Sequence, residues 1–130
     1  MTRRLGDQLE ALALETKVTE GLNLLTFRNL VLRISSEIKL ASNQGATPEQ
    51  WRDSQAMCVV EEAGEFIGEY RRVKGFARRA GDREHMMEEL ADVVISAMIM
   101  FNVLGENAEA YIQAKLLKII SRGYVNKDAE

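Results

Sequence analysis

Two stretches of the sequence place carboxylates at helical spacing beside apolar residues. In "VVEEAGEFIGEY", residues 59 to 70, Glu62 and Glu65 are three positions apart, so on a helix they lie about 60° from each other on one face. In "EELADVVISAMIMFNVL", residues 88 to 104, Glu89 and Asp92 repeat this spacing. If the two helices pack antiparallel, two pairs of carboxylates face each other. Such a group of oxygen atoms suits a hard divalent cation such as Mg²⁺.

This interpretation depends mainly on Asp92. It is the only charged residue between Leu90 and Leu104, in a segment that is apolar on nearly every side, so we expect it to be buried. A buried carboxylate must be paired, protonated or bound to a metal. Four clustered carboxylates also repel one another unless a cation lies among them. An isolated Glu-x-x-Glu, in contrast, is usually a solvated helix face.

The composition limits the alternatives. A chain of 130 residues with 46% hydrophobic and 28% charged residues is typical of one soluble domain. A net charge of −3 provides no general positive field for a nucleic-acid polymer. Cys58 and His85 are the only residues of their kinds, which excludes a zinc cage of Cys and His within one chain. A ferritin-like di-iron site, which uses Glu-x-x-His on two helices, is disfavoured because there is no second histidine. The longest apolar run is 12 residues, too short to span a membrane. With no signal peptide recognised at the start, we expect a cytoplasmic protein.

The apolar spacing predicts helices and leaves little room for a sheet. We expect a weak helix over about residues 5–18, an amphipathic helix over 22–42, and three more that begin at caps and end near glycines. These three run from Pro48 after Thr47 towards Lys74, from Arg83 after Asp82 to Leu104, and from Asn107 to about Arg122. The prediction is an all-α, antiparallel four-helix bundle over residues 22–123. Residues 1–21 would form an N-terminal helical extension and residues 124–130 a C-terminal tail.

The two carboxylate blocks, "EEAGE" at 61 to 65 and "ELAD" at 89 to 92, are separated by 23 residues. This pattern resembles the signature of the MazG-like, all-α nucleoside triphosphate pyrophosphohydrolases. The resemblance implies Mg²⁺-dependent cleavage of a (d)NTP between its α and β phosphates, giving a nucleoside monophosphate and pyrophosphate, with Mn²⁺ as an alternative metal. It implies four metal ligands, Glu62, Glu65, Glu89 and Asp92. Glu61 matches the first Glu of the signature, and we assign it a supporting or water-orienting role.

Basic residues that could contact substrate phosphates occur in two places. Arg78 and Arg79 belong to the run "YRRVKGFARRAGDR" after the first acidic helix, where a loop could close over a triphosphate, although solvated cations at a helix end are more common. Many relatives carry basic residues on the last helix. The segment "AKLLKIISRG" offers three residues for this role, Lys115, Lys118 and Arg122.

Other positions allow more than one interpretation. Trp51 could stack on a base, but a packing role is more common for a tryptophan in a first helical turn. His85 precedes Glu89 by one turn and could reach the acids, although an exposed position is more common. In better-known relatives an asparagine occupies the position of Ile99, and Asn102 is not assumed to replace it.

The predicted helix from Arg83 to Leu104 is apolar on most sides, which indicates burial against a second subunit. We therefore expect a homodimer or homotetramer that binds a nucleotide. Two alternative functions remain open. One is a related enzyme specialised for phosphoribosyl-ATP, and the other is a non-catalytic helical interaction protein whose acids only solvate a helix face.

Overall fold

A computed structural model describes the backbone of residues 21–42 and 45–123, the side chains of residues 21–37 and 45–123, and four separate positions nearer the start of the chain. The two continuous stretches form four helices and no strand: α1 (Leu24–Ser42), α2 (Pro48–Val73), α3 (Arg83–Val103) and α4 (Ala108–Ser121). The all-α prediction is confirmed. Gln8, Leu12, Ala13 and Thr16 are helical, while the rest of the predicted N-terminal helix and the tail over 124–130 lie outside the described residues.

The helices begin at the predicted caps. The Thr47 hydroxyl accepts a hydrogen bond from the Gln50 amide at 3.2 Å, and the Gln50 side chain accepts one from the Thr47 amide at 2.8 Å, which completes a capping box. The side chains of Asp82 and Asn107 cap α3 and α4. After α3, Gly105 has a φ of 72°, a left-handed conformation that lets the chain turn sharply out of the helix.

Helices α2 and α3 form an antiparallel hairpin that makes most of the helix–helix contacts of the described residues. Three pairs of residues lie along their seam: Gln55 with Ser96, Glu62 with Glu89, and Glu69 with Asp82. Each seven-residue step along α2 is matched by a seven-residue step in the opposite direction along α3. Because seven residues make two helical turns at this spacing, the three pairs stay on one seam.

The apolar core is small. Val31, Met98 and Ala108 form its buried centre, with partly buried residues of α1, α3 and α4 around them. An ion pair between Arg28 and Glu109, at 3.1 Å, joins α1 to α4. The single chain leaves many large apolar side chains exposed, including several on α2 and α3. None of the helices described here combines the length and the hydropathy that crossing a membrane would require.

Candidate metal centre

Three carboxylates from the α2–α3 seam converge. Glu62, Glu89 and Asp92 each offer one oxygen atom, and these three atoms all lie within 4.8 Å of one another. The donor set consists of carboxylate oxygens from two helices, which matches the preference of a hard divalent cation. The antiparallel packing on which the expected facing of the two acidic blocks depends is therefore present in the structure.

The predicted burial of Asp92 is wrong for the single chain. Glu62 and Glu89 are half-buried, but Asp92 is exposed. Its apolar neighbours Leu90 and Val94 are 37% and 54% exposed, so the apolar surface around Asp92 is not covered by another described helix. An apolar helical segment buries its charged residue only where another surface covers that side of the helix.

Glu65 is exposed and is not part of the group of three oxygens. On an α-helix Glu65 lies about 60° away from Glu62, whereas Glu69 lies within about 20° of it, two turns on. The structure agrees with this geometry, because Glu69 is buried and Glu65 faces outward from the seam. Glu61 is also exposed.

Burial raises the pKa of Glu62, and the negative charges of neighbouring carboxylates raise it further. These neighbours are, in decreasing order of effect, Glu65, Asp92, Glu89 and Glu61. All five acids singled out in the sequence thus belong to one electrostatic cluster, although only three of them converge. Repulsion of this kind favours a bound cation, since a positive charge at the cluster would stabilise the ionised form of Glu62.

Two side chains one turn away contact the cluster. His85 Nε2 lies 3.0 Å from Glu89 Oε1, and its Nδ1 lies 3.5 Å from Glu88 Oε2. His85 is half exposed, so both interpretations of this residue hold: it is exposed, and it reaches an acid of the group. On α2, the Cys58 thiol is 3.9 Å from Glu62 Oε1 and donates to it.

A cleft of about 430 Å³ between α1, α2 and α3 contains the part of the seam that runs from Glu62 to the pair of Gln55 and Ser96. Glu62 and Asp92 line one end of the cleft, and Trp51 and Asn102 line the other, about 16 Å away along the helices. Among the described residues, Trp51 Nε1 and Asn102 Nδ2 have no hydrogen-bond partner and are shielded from solvent. Buried donors without partners are uncommon in folded proteins, so this end of the cleft has unused hydrogen-bonding capacity.

The predicted phosphate-binding residues lie elsewhere on the surface. Arg78 and Arg79 are exposed in the connection between α2 and α3. Lys115 and Lys118 line a different cleft beside Phe101, and Arg122 caps the end of α4. None of these five basic residues lines the cleft that holds Glu62 and Asp92. Their roles remain predictions.

Two residues with a place in this site were given no role from the sequence. Arg52 lines the cleft and is the one basic side chain of its described wall; nothing in the sequence pattern distinguishes it from a solvated arginine. Glu69 is buried at the seam. Its alignment with Glu62, seven residues earlier, is a signal that could have identified it.

Comparison with known proteins agrees with the site. The family model of the MazG nucleotide pyrophosphohydrolase domain matches residues 50–123, more than half of the chain. The chain therefore belongs to this family of nucleotide pyrophosphohydrolases, whose members are generally metal-dependent. The matched segment contains α3, α4 and nearly all of α2, while α1 lies before it. Neither the search of curated proteins nor the search of solved structures produced a match.

Proposed function

We propose that this protein is a Mg²⁺-dependent nucleoside triphosphate pyrophosphohydrolase that cleaves (d)NTPs between the α and β phosphates. One observation carries the proposal: three carboxylate oxygens from two facing helices lie within 4.8 Å of one another in a chain that belongs to a nucleotide pyrophosphohydrolase family. A solvated acidic face would not require carboxylates of two different helices to converge.

The acids supply the chemistry of the site. Glu62, Glu89 and Asp92, with Glu65 on the flank of the cluster, would hold the cation. When bound, Mg²⁺ neutralises phosphate charge and lowers the pKa of a coordinated water. Glu61 would orient the water that adds across the bond between the α and β phosphates, so that pyrophosphate leaves and a nucleoside monophosphate and one proton are released. Mn²⁺ would serve as an alternative metal, because it also prefers carboxylate oxygens.

The shape of the cleft supports a nucleotide as the ligand. Its acidic end would receive the phosphates through the metal, and the end with Trp51 and Asn102 would receive the nucleoside. The unpartnered donors Trp51 Nε1 and Asn102 Nδ2 would then be satisfied by acceptors of the substrate. Arg52 is adjacent to Trp51 and so belongs to the nucleoside end of the cleft, whereas Arg78 and Arg79, in the connection between α2 and α3, are candidate phosphate contacts.

The reaction products test the proposal directly. Each (d)NTP and, in a separate reaction, phosphoribosyl-ATP would be incubated with the protein and Mg²⁺, and the products of each reaction would be separated. We expect a nucleoside monophosphate and intact pyrophosphate to appear together from a (d)NTP, and EDTA to stop turnover. Nucleoside diphosphate with orthophosphate would contradict the assignment. Turnover of phosphoribosyl-ATP alone would identify the specialised relative, and no turnover of any compound would favour the non-catalytic alternative.

Two adjacent glutamates provide a matched control. Glu89→Gln replaces a charged carboxylate of the converging group by a neutral amide, whereas Glu88→Gln makes the same change one position earlier on an exposed side chain. Substitutions that only disturb the surroundings of a metal site lower activity by about 10–100-fold, so Glu89→Gln should lower kcat/KM by more than this. Glu88→Gln should retain activity close to that of the wild type. Equal activity of the two variants would remove Glu89 from the metal site.

We also propose that the protein assembles as a homodimer or homotetramer. Val60 and Ile67, which are 73% and 53% exposed, are seven residues apart on one side of α2, and Val94 of α3 is 54% exposed. Together with the exposed apolar residues around Asp92, they form surface that a second copy would bury. Sedimentation equilibrium should show an assembly that Val60→Glu dissociates; a monomeric wild-type protein would contradict this.

A further inference from the structure

Glu69 is a buried carboxylate that the proposed chemistry does not use. Glu69 is 4% exposed, and both of its carboxylate oxygen atoms have hydrogen-bond partners. Oε1 accepts a hydrogen bond from the backbone amide of Asp82 at 2.8 Å, and Oε2 accepts one from Arg72 Nη1 at 2.7 Å. A buried charge is stable only when it is paired in this way. Glu69 therefore ties the last turns of α2 to the residue that caps α3.

Gly81 tightens the same connection. A Cβ atom added to Gly81 would lie 2.7 Å from Arg72 Cβ and 2.8 Å from Arg72 C, and would also collide with the amide nitrogen of Val73. The backbone just before α3 thus packs directly on the last turn of α2, at a distance that only glycine permits. We call Glu69, Arg72, Gly81 and Asp82 the clasp.

The clasp contains one of the three pairs along the α2–α3 seam, Glu69 with Asp82. From Asp82, seven residues along α3 lead to Glu89, and from Glu69, seven residues back along α2 lead to Glu62. Fixing Glu69 against Asp82 therefore fixes both the axial position and the rotation of α3 at the acids. A shift of one residue would move α3 by about 1.5 Å along its axis and turn it by about 100°. Glu89 would then leave the seam.

We propose that Glu69 is a positioning residue for the metal site: through the amide of Asp82 it holds Glu89 and Asp92 opposite Glu62. This inference rests on the proposed function, because it assumes that the converging acids bind a divalent ion. Glu69 itself is not a ligand in this arrangement. Its loss should weaken metal binding although no ligand has been removed.

Titration with Mn²⁺, followed by the electron paramagnetic resonance signal of the free ion, measures this effect without requiring turnover. Glu69→Ala removes both acceptors and should weaken Mn²⁺ binding by about 10–100-fold, the range for partners that orient metal ligands. Glu69→Gln keeps an acceptor for the Asp82 amide, so it should recover most of the affinity. Gly81→Ala disturbs the clasp without touching Glu69, and it should also weaken binding.

Val31→Ala is the stability control, because Val31 lies in the α1–α3–α4 core away from the seam. Measured below its melting temperature, this variant should bind Mn²⁺ as tightly as the wild type. An equal loss of affinity in Val31→Ala and Glu69→Ala would overturn the positioning role, since the effect would then follow general stability.

The outcomes separate the two proposals. If the wild type does not bind Mn²⁺, the proposed function fails. If the wild type binds Mn²⁺ and folded Glu69→Ala binds it equally well, only the positioning role fails. Should Glu69→Ala not fold, unchanged affinity in Gly81→Ala would overturn the positioning role in the same way.

Discussion

Asp92→Asn tests the acid cluster in the absence of metal. This substitution keeps the size of the side chain and removes one negative charge, whose oxygen lies within 4.8 Å of oxygens of Glu62 and Glu89. In the single chain Asp92 is exposed, so the surrounding dielectric constant is close to that of water, and two unit charges at this separation repel by about 0.9 kcal/mol; burial against a second copy would increase this repulsion. Salt at physiological concentration, with a Debye length of about 8 Å, reduces each repulsion to about 0.5 kcal/mol.

With two such pairs removed, Asp92→Asn should stabilise the metal-free protein by about 1 kcal/mol. For a chain of this size this raises the melting temperature by about 4 °C. With Mg²⁺ the order should reverse. At about 100 times its dissociation constant, Mg²⁺ adds about 2.7 kcal/mol to the wild type, whereas a site weakened about 100-fold gains about 0.4 kcal/mol at the same concentration.

Thermal unfolding of both proteins in EDTA and in excess Mg²⁺, followed by circular dichroism, gives the four values needed. Asp53→Asn is the matched control, because Asp53 is an exposed acid of α2 outside the converging group. It should leave both melting temperatures close to those of the wild type. The reasoning is refuted if Asp92→Asn is destabilised in EDTA yet gains as much from Mg²⁺ as the wild type, because Asp92 would then be a structural residue.

Three further predictions concern the clasp and the basic loop. Gly81→Ala should lower the free energy of unfolding by about 1–3 kcal/mol through overpacking. Gly64→Ala is its control: the added Cβ would meet no atom within 4 Å, so this variant should raise the free energy of unfolding by about 0.5–1 kcal/mol. If urea denaturation showed Gly81→Ala to be as stable as Gly64→Ala, it would contradict the close packing of Gly81. The Asp82 amide, and then Arg72, hold the pKa of Glu69 below its ordinary value, so its stabilising effect is complete above the usual glutamate pKa of about 4.3 and is lost as the pH falls through the lowered value. Urea midpoints measured from pH 7 to pH 3 should therefore decline more steeply for the wild type than for Glu69→Gln, and parallel declines would show that Glu69 does not titrate in this way. Alanine at Arg78 and Arg79 should weaken triphosphate binding more than monophosphate binding, with a difference that shrinks at high salt; an equal loss for both ligands would make these arginines a solvated surface.

The ends of the helices were predictable because capping is local chemistry. Thr47, Asp82 and Asn107 each bond to an amide two or three residues ahead, so the sequence around each cap contains nearly everything that determines it. The facing of the two acidic blocks was predictable for a related reason. The three-residue spacing within each block, and a short connection between the helices, leave antiparallel packing as the simple arrangement.

The features that the sequence did not reveal depend on contacts between distant parts of the chain. The exposure of Asp92 depends on which surface covers α3, and the local run of apolar residues contains no information about that. The partners of Glu69 depend on the path of the connecting loop, which follows from the close approach of Gly81 to Arg72. Arg52 belongs to the cleft only because α1 forms its third wall, although α1 precedes the segment matched by the family.

The location of the seam within one hairpin also bears on the order of folding. All three seam pairs lie between residues 48 and 103, so they can form by closing one connection, whereas the Val31 core must also bring α1 and α4 onto α3. Because contacts between residues close in the sequence form early, substitutions in the seam should slow folding, while Val31→Ala should mainly accelerate unfolding. Stopped-flow rates in urea would distinguish the two classes, and a Val31→Ala effect confined to the folding rate would reverse this order. If the seam forms first, the acids meet before α1 has supplied the third wall of the cleft.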